Sequence, residues 1–279
     1  MLKILGDIED SVWIFRIVMQ INKMTQGASL SSEDRAAFEA AHQQLFACMR
    51  QCNDAHRELV RLIQQHIQDV SEGRSVVASN GHISVLEDIE PALNRVANSF
   101  FVAARTALYH LFGDNRSKGT HTRSVTEILT GHDLSFVQSR KDEFFDQESA
   151  KLLLAEPRRA ANHLIDVLRS DRTTWSLGLQ DIRDTIIHDT TYPGLKMLYR
   201  ANGDRVAIGF PKLNGTEISQ FVKIFWNNLV DAVEEITLAC IGMKMSPAIA
   251  IVPIPKEEWG PNLPMRFKAV FINNPSPKA

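Results

Sequence analysis

A cation and an imidazole a few residues apart can cleave RNA. The cation neutralises charge developing on a phosphate, and the imidazole, titrating near neutrality, moves the protons. Residues 183–188 read Arg-Asp-Thr-Ile-Ile-His. Spacing alone does not choose this pair, because Arg61/His66, Arg105/His110, Arg116/His121 and Arg158/His163 have the same separation, and Arg50/His56 and Arg35/His42 are only slightly wider. Arg183 differs in three ways. It alone is followed directly by Asp or Asn, here Asp184; it sits near the end of its predicted helix; and Pro193-Gly194 breaks that helix within a few residues of His188.

On an ideal helix Trp175, Leu179, Ile182 and Ile186 share one side, while Asp184 and His188 fall together on the opposite side. His188 therefore belongs to a polar face. Asp184 lies one turn from it and can orient the imidazole or stabilise its protonated form. Arg183 stands about 140° around the helix from His188, so a compact site requires the helix to end or distort there, or a second subunit to complete it. The competing reading is structural: Arg183 pairs with Asp181 or Asp189 on a solvated face, and His188 caps the helix C-terminus.

Other chemistries find less support. No glycine-rich phosphate loop, dinucleotide fingerprint, nucleophile elbow or His-Glu-x-x-His is present. A di-iron bundle needs two Glu-x-x-His motifs, and the chain has only Glu39 to His42. Cys48, Cys52 and His56 line one helical face without an evident fourth ligand, which reads as packing rather than metal binding. No cofactor is expected.

The elements that must position the motif are mostly helical. The pattern predicts helices over 8–24, 32–71, 86–112, 123–138, 141–155, 157–169, 172–189 and 216–242. Ser31 and Ser32 open the second, and a stripe of Leu86, Ile89, Leu93, Val96, Phe100, Ala104, Leu108 and Leu111 marks the third as core-facing. Asn80-Gly81 and Asn202-Gly203, each flanked by strand-like residues, predict two small hairpins. From Pro247 onward come seven of the chain's eleven prolines, which predicts an extended tail with a short edge strand over 248–252.

The motif and its setting resemble HEPN (higher eukaryotes and prokaryotes nucleotide-binding) domains, all-α bundles that carry Arg-x4-6-His with Asn, Asp or His after the arginine. Phe100 through Phe112 looks like that family's core helix, Trp175 through His188 like the segment leading to its motif, and the helix containing Trp226 like its closing helix. The resemblance covers about residues 86–243. It implies a homodimer in which two motifs share one cleft, acting as a metal-independent endoribonuclease in defence or stress, or as a catalytically silent interaction or sensing module. Carried over, His188 is the acid/base, Arg183 the phosphate-binding cation and Asp184 the polar aid. Arg116, Lys118, Arg123, Arg158 and Arg159 are then RNA-binding candidates, though scattered surface charge explains them equally well. Antitoxin-paired members carry a modifiable tyrosine two residues after the histidine; here that position is Thr190 and the nearest tyrosine is Tyr192. An antitoxin or regulatory protein is a further expected partner.

The expected organisation is an N-terminal helical extension (1–74), a HEPN-like all-α bundle with two hairpins (75–243) and a proline-rich tail (244–279). Composition agrees with a globular, cytoplasmic protein that avoids membranes. The 279 residues are 44% hydrophobic with a formal net charge of −2, no apolar run reaches bilayer length, and three cysteines suggest no disulfide framework. Near-neutral charge restricts RNA binding to a local site.

Overall fold

The computed structural model describes residues 10–113, 123–134, 159–171, 194–213, 215–258 and 265–272. The described chain is mostly helical, with four separate two-stranded antiparallel pairs. It divides into two compact units. Unit 1 comprises residues 1–50, 106–177 and 229–279, and unit 2 comprises 51–105 and 178–228. The division falls inside the three longest helices: α2 (Ser32–Ser71), α3 (Glu90–Phe112) and α6 (Ile218–Met243).

Unit 1 contains α1 (Asp10–Thr25), the start of α2, the end of α3, α4 (Val125–Thr130), α5 (Arg159–Asp171), most of α6 and the strands β7 (Ile249–Pro253) and β8 (Phe267–Phe271). Ser31 caps α2: its hydroxyl accepts from the Asp34 amide at 3.0 Å and donates to the Asp34 carboxylate at 2.9 Å. Ile17, Ile21, Phe38, Leu45, Leu111, Leu129, Leu164, Leu168, Val233 and Ile236 form its core. Helix α4 is shorter than the 123–138 expected. Ser124 caps its start, and Gly131, left-handed at φ +81°, ends it with its amide bonded to the Glu127 carbonyl.

In unit 2 the later half of α2, the first part of α3 and the first turns of α6 are joined by strands β1 (Val76–Ser79), β2 (His82–Val85), β3 (Leu198–Asn202), β4 (Arg205–Gly209), β5 (Lys212–Leu213) and β6 (Thr216–Glu217). Phe100, Phe101, Leu59, Leu93, Val222 and Trp226 are almost fully buried. The rings of Phe100 and Phe101 meet edge-on at 5.5 Å, and Phe101 meets Phe221 at 6.2 Å. Helix α3 begins at Glu90, where the Asp88 carboxylate accepts the Glu90 amide and Pro91 occupies the first turn, so Leu86 lies before the helix and is exposed.

The two expected hairpins form, with different turns. Ser79 faces His82 across Asn80 and Gly81, both at positive φ, which is the I′ arrangement. In the second, Asn202 faces Arg205, so the turn residues are Gly203 and Asp204 rather than Asn202 and Gly203. Only Gly203 is at positive φ, as a II′ turn requires. Two further pairs were not anticipated: β5/β6 around Asn214-Gly215, and β7/β8, in which the expected tail folds back so that Ile249 faces Phe271.

Candidate functional site

Arg183, Asp184 and His188 lie outside the described residues, as do Arg116, Lys118 and Arg158. Arg159 opens α5. What is described is the chain immediately downstream of the motif. Gly194 is left-handed at φ +75°, and a β-carbon there would stand 3.0 Å from the Asn94 side-chain oxygen. Asn94, inside α3, then grips the following residue from both sides. Its oxygen accepts the Leu195 amide at 2.7 Å, and its nitrogen donates to the Leu195 carbonyl at 3.0 Å. One turn earlier, the Glu90 carboxylate accepts the Met197 amide at 2.8 Å. No helix runs through 194–197, because these bonds hold the chain extended before β3.

Where Arg and His at this or a similar spacing lie inside a continuous helix, the two side chains diverge. Arg61 and His66 both lie in α2, and five residues of ideal helix separate them by about 140°. Arg61 accordingly sits exposed, in a two-pronged contact with Glu58 at 2.7 Å, while His66 is buried. Arg105 and His110 share α3 and the same divergence. Arg35 donates to the Thr25 and Ala28 carbonyls at the end of α1, whereas His42 packs between Phe38 and Phe46 at 5.2 and 4.6 Å. Burial pushes His42 down to about 4, so it is neutral at physiological pH.

Burial also keeps the cysteines as thiols: Cys48 and Cys240 are both raised by desolvation. Cys52 donates weakly to the Phe100 carbonyl at 3.9 Å. Among the described residues, no three His, Cys, Asp or Glu side chains are grouped to hold a metal.

Two polar clusters escaped the sequence reading because their members are far apart in the chain. In unit 1, Arg16 on α1 and Glu234 on α6 are paired at 2.6 Å, both essentially inaccessible. Arg266 approaches the same carboxylate at 3.3 Å and also contacts Asp231. With its amide oriented to satisfy both neighbours, Gln20 donates to Glu234 Oε1 at 3.0 Å and accepts from the Phe267 amide at 3.2 Å. Burial raises Glu234 above the usual carboxylate range, although Arg16 and Arg266 pull the other way. In unit 2, the Tyr199 hydroxyl meets His66 Nε2 at 2.9 Å. Burial lowers His66 against the pull of Asp69, Glu87 and Asp88, and burial, with Glu90 and Asp88, pushes Tyr199 up to about 12. Both are neutral at physiological pH, so this contact fastens β3 to α2 rather than storing charge.

Of the expected RNA-binding arginines, Arg123 is the one whose side chain is described. It pairs with Asp34 at 2.7 Å; that contact first, and the Ser31 hydroxyl second, hold the Asp34 carboxyl below its usual range. A groove of about 780 Å³ lies elsewhere, in unit 2. It runs along β3–β6 and is lined by Lys196, Leu198, Arg200, Phe210, Lys212 and Glu217 among others. Strand alternation contributes to it: Tyr199 turns inward, whereas Leu198 and Arg200, opposite Gly209 and Ala207, face outward.

Among the described residues no helix is long and apolar enough to cross a membrane. Neither a protein-family model, nor a curated protein, nor a solved structure matches the chain.

Proposed function

We propose that this protein is a metal-independent endoribonuclease, HEPN-like in its helical architecture and acting as a homodimer, with Arg183, Asp184 and His188 as its reactive group. One observation carries the reading: six residues after His188 the chain is left-handed at Gly194 and clamped by Asn94 in a non-helical path. An Arg and a His five positions apart diverge on a continuing helix, as Arg61 and His66 do in α2. The clamp at Gly194 and Leu195 leaves room for a helix carrying Arg183 and His188 to end before it, and convergence of the two side chains is part of this proposal.

In this mechanism His188 takes the proton from a ribose 2′-hydroxyl. The 2′-oxygen attacks the adjacent phosphorus, the bond from phosphorus to the 5′-oxygen breaks, and a proton is delivered to that oxygen. The products are a 2′,3′-cyclic phosphate and a 5′-hydroxyl. Arg183 neutralises the charge growing on the phosphoryl oxygens, and Asp184 orients the imidazole.

The test is cleavage of an unstructured, end-labelled RNA by the purified full chain in EDTA. Wild type cuts, and His188→Ala and Arg183→Ala each lose about 100-fold or more in rate. Absence of cleavage by wild type, or undiminished cleavage by His188→Ala, contradicts the reading. Sedimentation equilibrium tests the dimer; a strict monomer at working concentration removes that part of it.

A further inference from the structure

We infer that the groove along β3–β6 of unit 2 is a binding track for single-stranded RNA, with Lys196, Arg200 and Lys212 contacting phosphates and Leu198 and Phe210 contacting bases. This inference rests on the ribonuclease reading and names where its substrate is held.

Charge complementarity selects the occupant. Among the described residues, the three cations line the groove with Glu217 as the only acidic lining residue, and none of the three has a carboxylate within ion-pair distance. Elsewhere in unit 2, Arg61 pairs with Glu58 and Arg74 with Asp69 and Glu72, whereas the exposed Arg57 and Arg95 stand on helices without the groove's apolar neighbours. The groove cations are therefore available to an anion without breaking an internal pair. Apolar groups lie between them. Leu198 is 64% exposed, a large aliphatic side chain on the outward face of a strand, directly between Lys196 and Arg200. Phe210 is half-buried where β4 leads into β5.

Cations alternating with apolar and aromatic contacts match an unstacked strand, whose phosphates and base faces are both accessible. A duplex presents mainly phosphates and 2′-hydroxyls. Lys196, Leu198 and Arg200 also follow the two-residue period of the extended chain, about 6.6 Å per step, close to the spacing of successive nucleotides in an extended single strand. The track begins at Gly194. Six residues separate it from His188, which at no more than about 3.6 Å each is a chain path of about 20 Å, the reach of a few nucleotides.

The experiment measures binding of a fluorescent 12-nucleotide oligouridylate by anisotropy across a salt series, using the full chain. Every ribose carries a 2′-O-methyl group so that cleavage cannot intervene. The Lys196→Gln/Arg200→Gln/Lys212→Gln variant is expected to bind at least 10-fold more weakly at 50 mM salt, with the slope of log affinity against log salt reduced by about 2. Phe210→Leu is expected to lose about 5-fold with the salt slope unchanged. Circular dichroism and the melting temperature verify that both variants are folded, and the single Arg200→Gln change provides a milder variant expected to lose about 3-fold.

Wild-type affinity in the folded triple variant overturns the inference. So does tighter binding of a 20-residue polyglutamate than of the oligonucleotide, which would assign the groove to an acidic protein. Groove-dependent binding without cleavage of natural RNA would sink the ribonuclease reading and leave the track standing; cleavage unaffected by the groove variants would do the reverse.

Discussion

Arg16 in unit 1 is sealed from water against Glu234, with Arg266 completing the cluster, whereas Lys196, Arg200 and Lys212 in unit 2 stand along an open groove with no carboxylate in ion-pair reach among the described residues. Desolvation explains why the two arrangements differ. A buried ion loses several kcal/mol of hydration and persists only beside a counter-charge, so the cations of the unit 1 core are committed to structure. An exposed lysine or arginine loses little, contributes little to stability and remains free for a ligand. Location, more than abundance, decides which charges can serve function in a chain whose net charge is only −2.

The most damaging way to break this contrast is to remove one side of the buried pair. Glu234→Leu removes the carboxylate paired with the buried Arg16 and is expected to cost about 4 kcal/mol of unfolding free energy in urea titration. Arg16→Met combined with Glu234→Leu should recover most of it. A fully stable Glu234→Leu protein would mean the cluster does not hold unit 1 together.

His42 gives a second, pH-dependent effect. Its folded value near 4 lies below its ordinary 6.5, so the unfolded chain binds the proton first. Stability is full above pH 6.5 and is lost as pH falls towards 4, with a contribution of about 2 kcal/mol between pH 7 and pH 5. His42→Leu should flatten the slope in that window, and an unchanged slope would assign it to other groups.

Asn94→Ala removes both bonds to Leu195 and is expected to cost about 1.5 kcal/mol, with faster amide exchange at residues 195–197. If cleavage depends on the chain stop after His188, activity should fall more than this loss of stability explains. Smallest in stability are the surface cations. Arg123→Ala should change stability by less than about 1 kcal/mol and leave RNA affinity nearly unaltered, because Asp34 already engages that side chain. Arg200→Gln should leave stability within about 0.5 kcal/mol while weakening RNA binding, the opposite pairing of effects.

Much of the helical frame was legible because its signals are local. The 40-residue α2 begins and ends where capping residues and periodicity place it, and Ile218, Phe221, Phe225, Leu229, Val233, Ile236 and Cys240, which recur at three- and four-residue spacing along α6, are all buried. Asn80-Gly81 dictates a turn with both residues at positive φ. A third Asn-Gly dipeptide, Asn214-Gly215, stands in the sequence between β5 and β6. At Asn202-Gly203 the dipeptide marked the hairpin but missed its register by one residue, because Gly203 alone supplies the left-handed conformation.

What was not legible depends on partners distant in sequence. Nothing near Glu234 announces Arg16, which is 218 positions away, and Tyr199 meets His66 across 133 positions. The strand β8 has no turn signal because its partner lies beyond a long connection. The groove did carry a readable sign: Lys196, Leu198 and Arg200 occupy every second position of an extended segment, hence one face, next to a hairpin already recognised.

Attack by the ribose 2′-hydroxyl is the defining step of the proposed cleavage. The direct measurement is single-turnover incubation in EDTA of two matched oligonucleotides, one natural RNA and one with a 2′-O-methyl group at every ribose, with wild type and His188→Ala, reading the ends of any products. Cleavage of natural RNA alone, by wild type alone, to a 2′,3′-cyclic phosphate and a 5′-hydroxyl is the predicted result. Cleavage of the methylated strand, equal cleavage by His188→Ala, or no cleavage of natural RNA by wild type would contradict it.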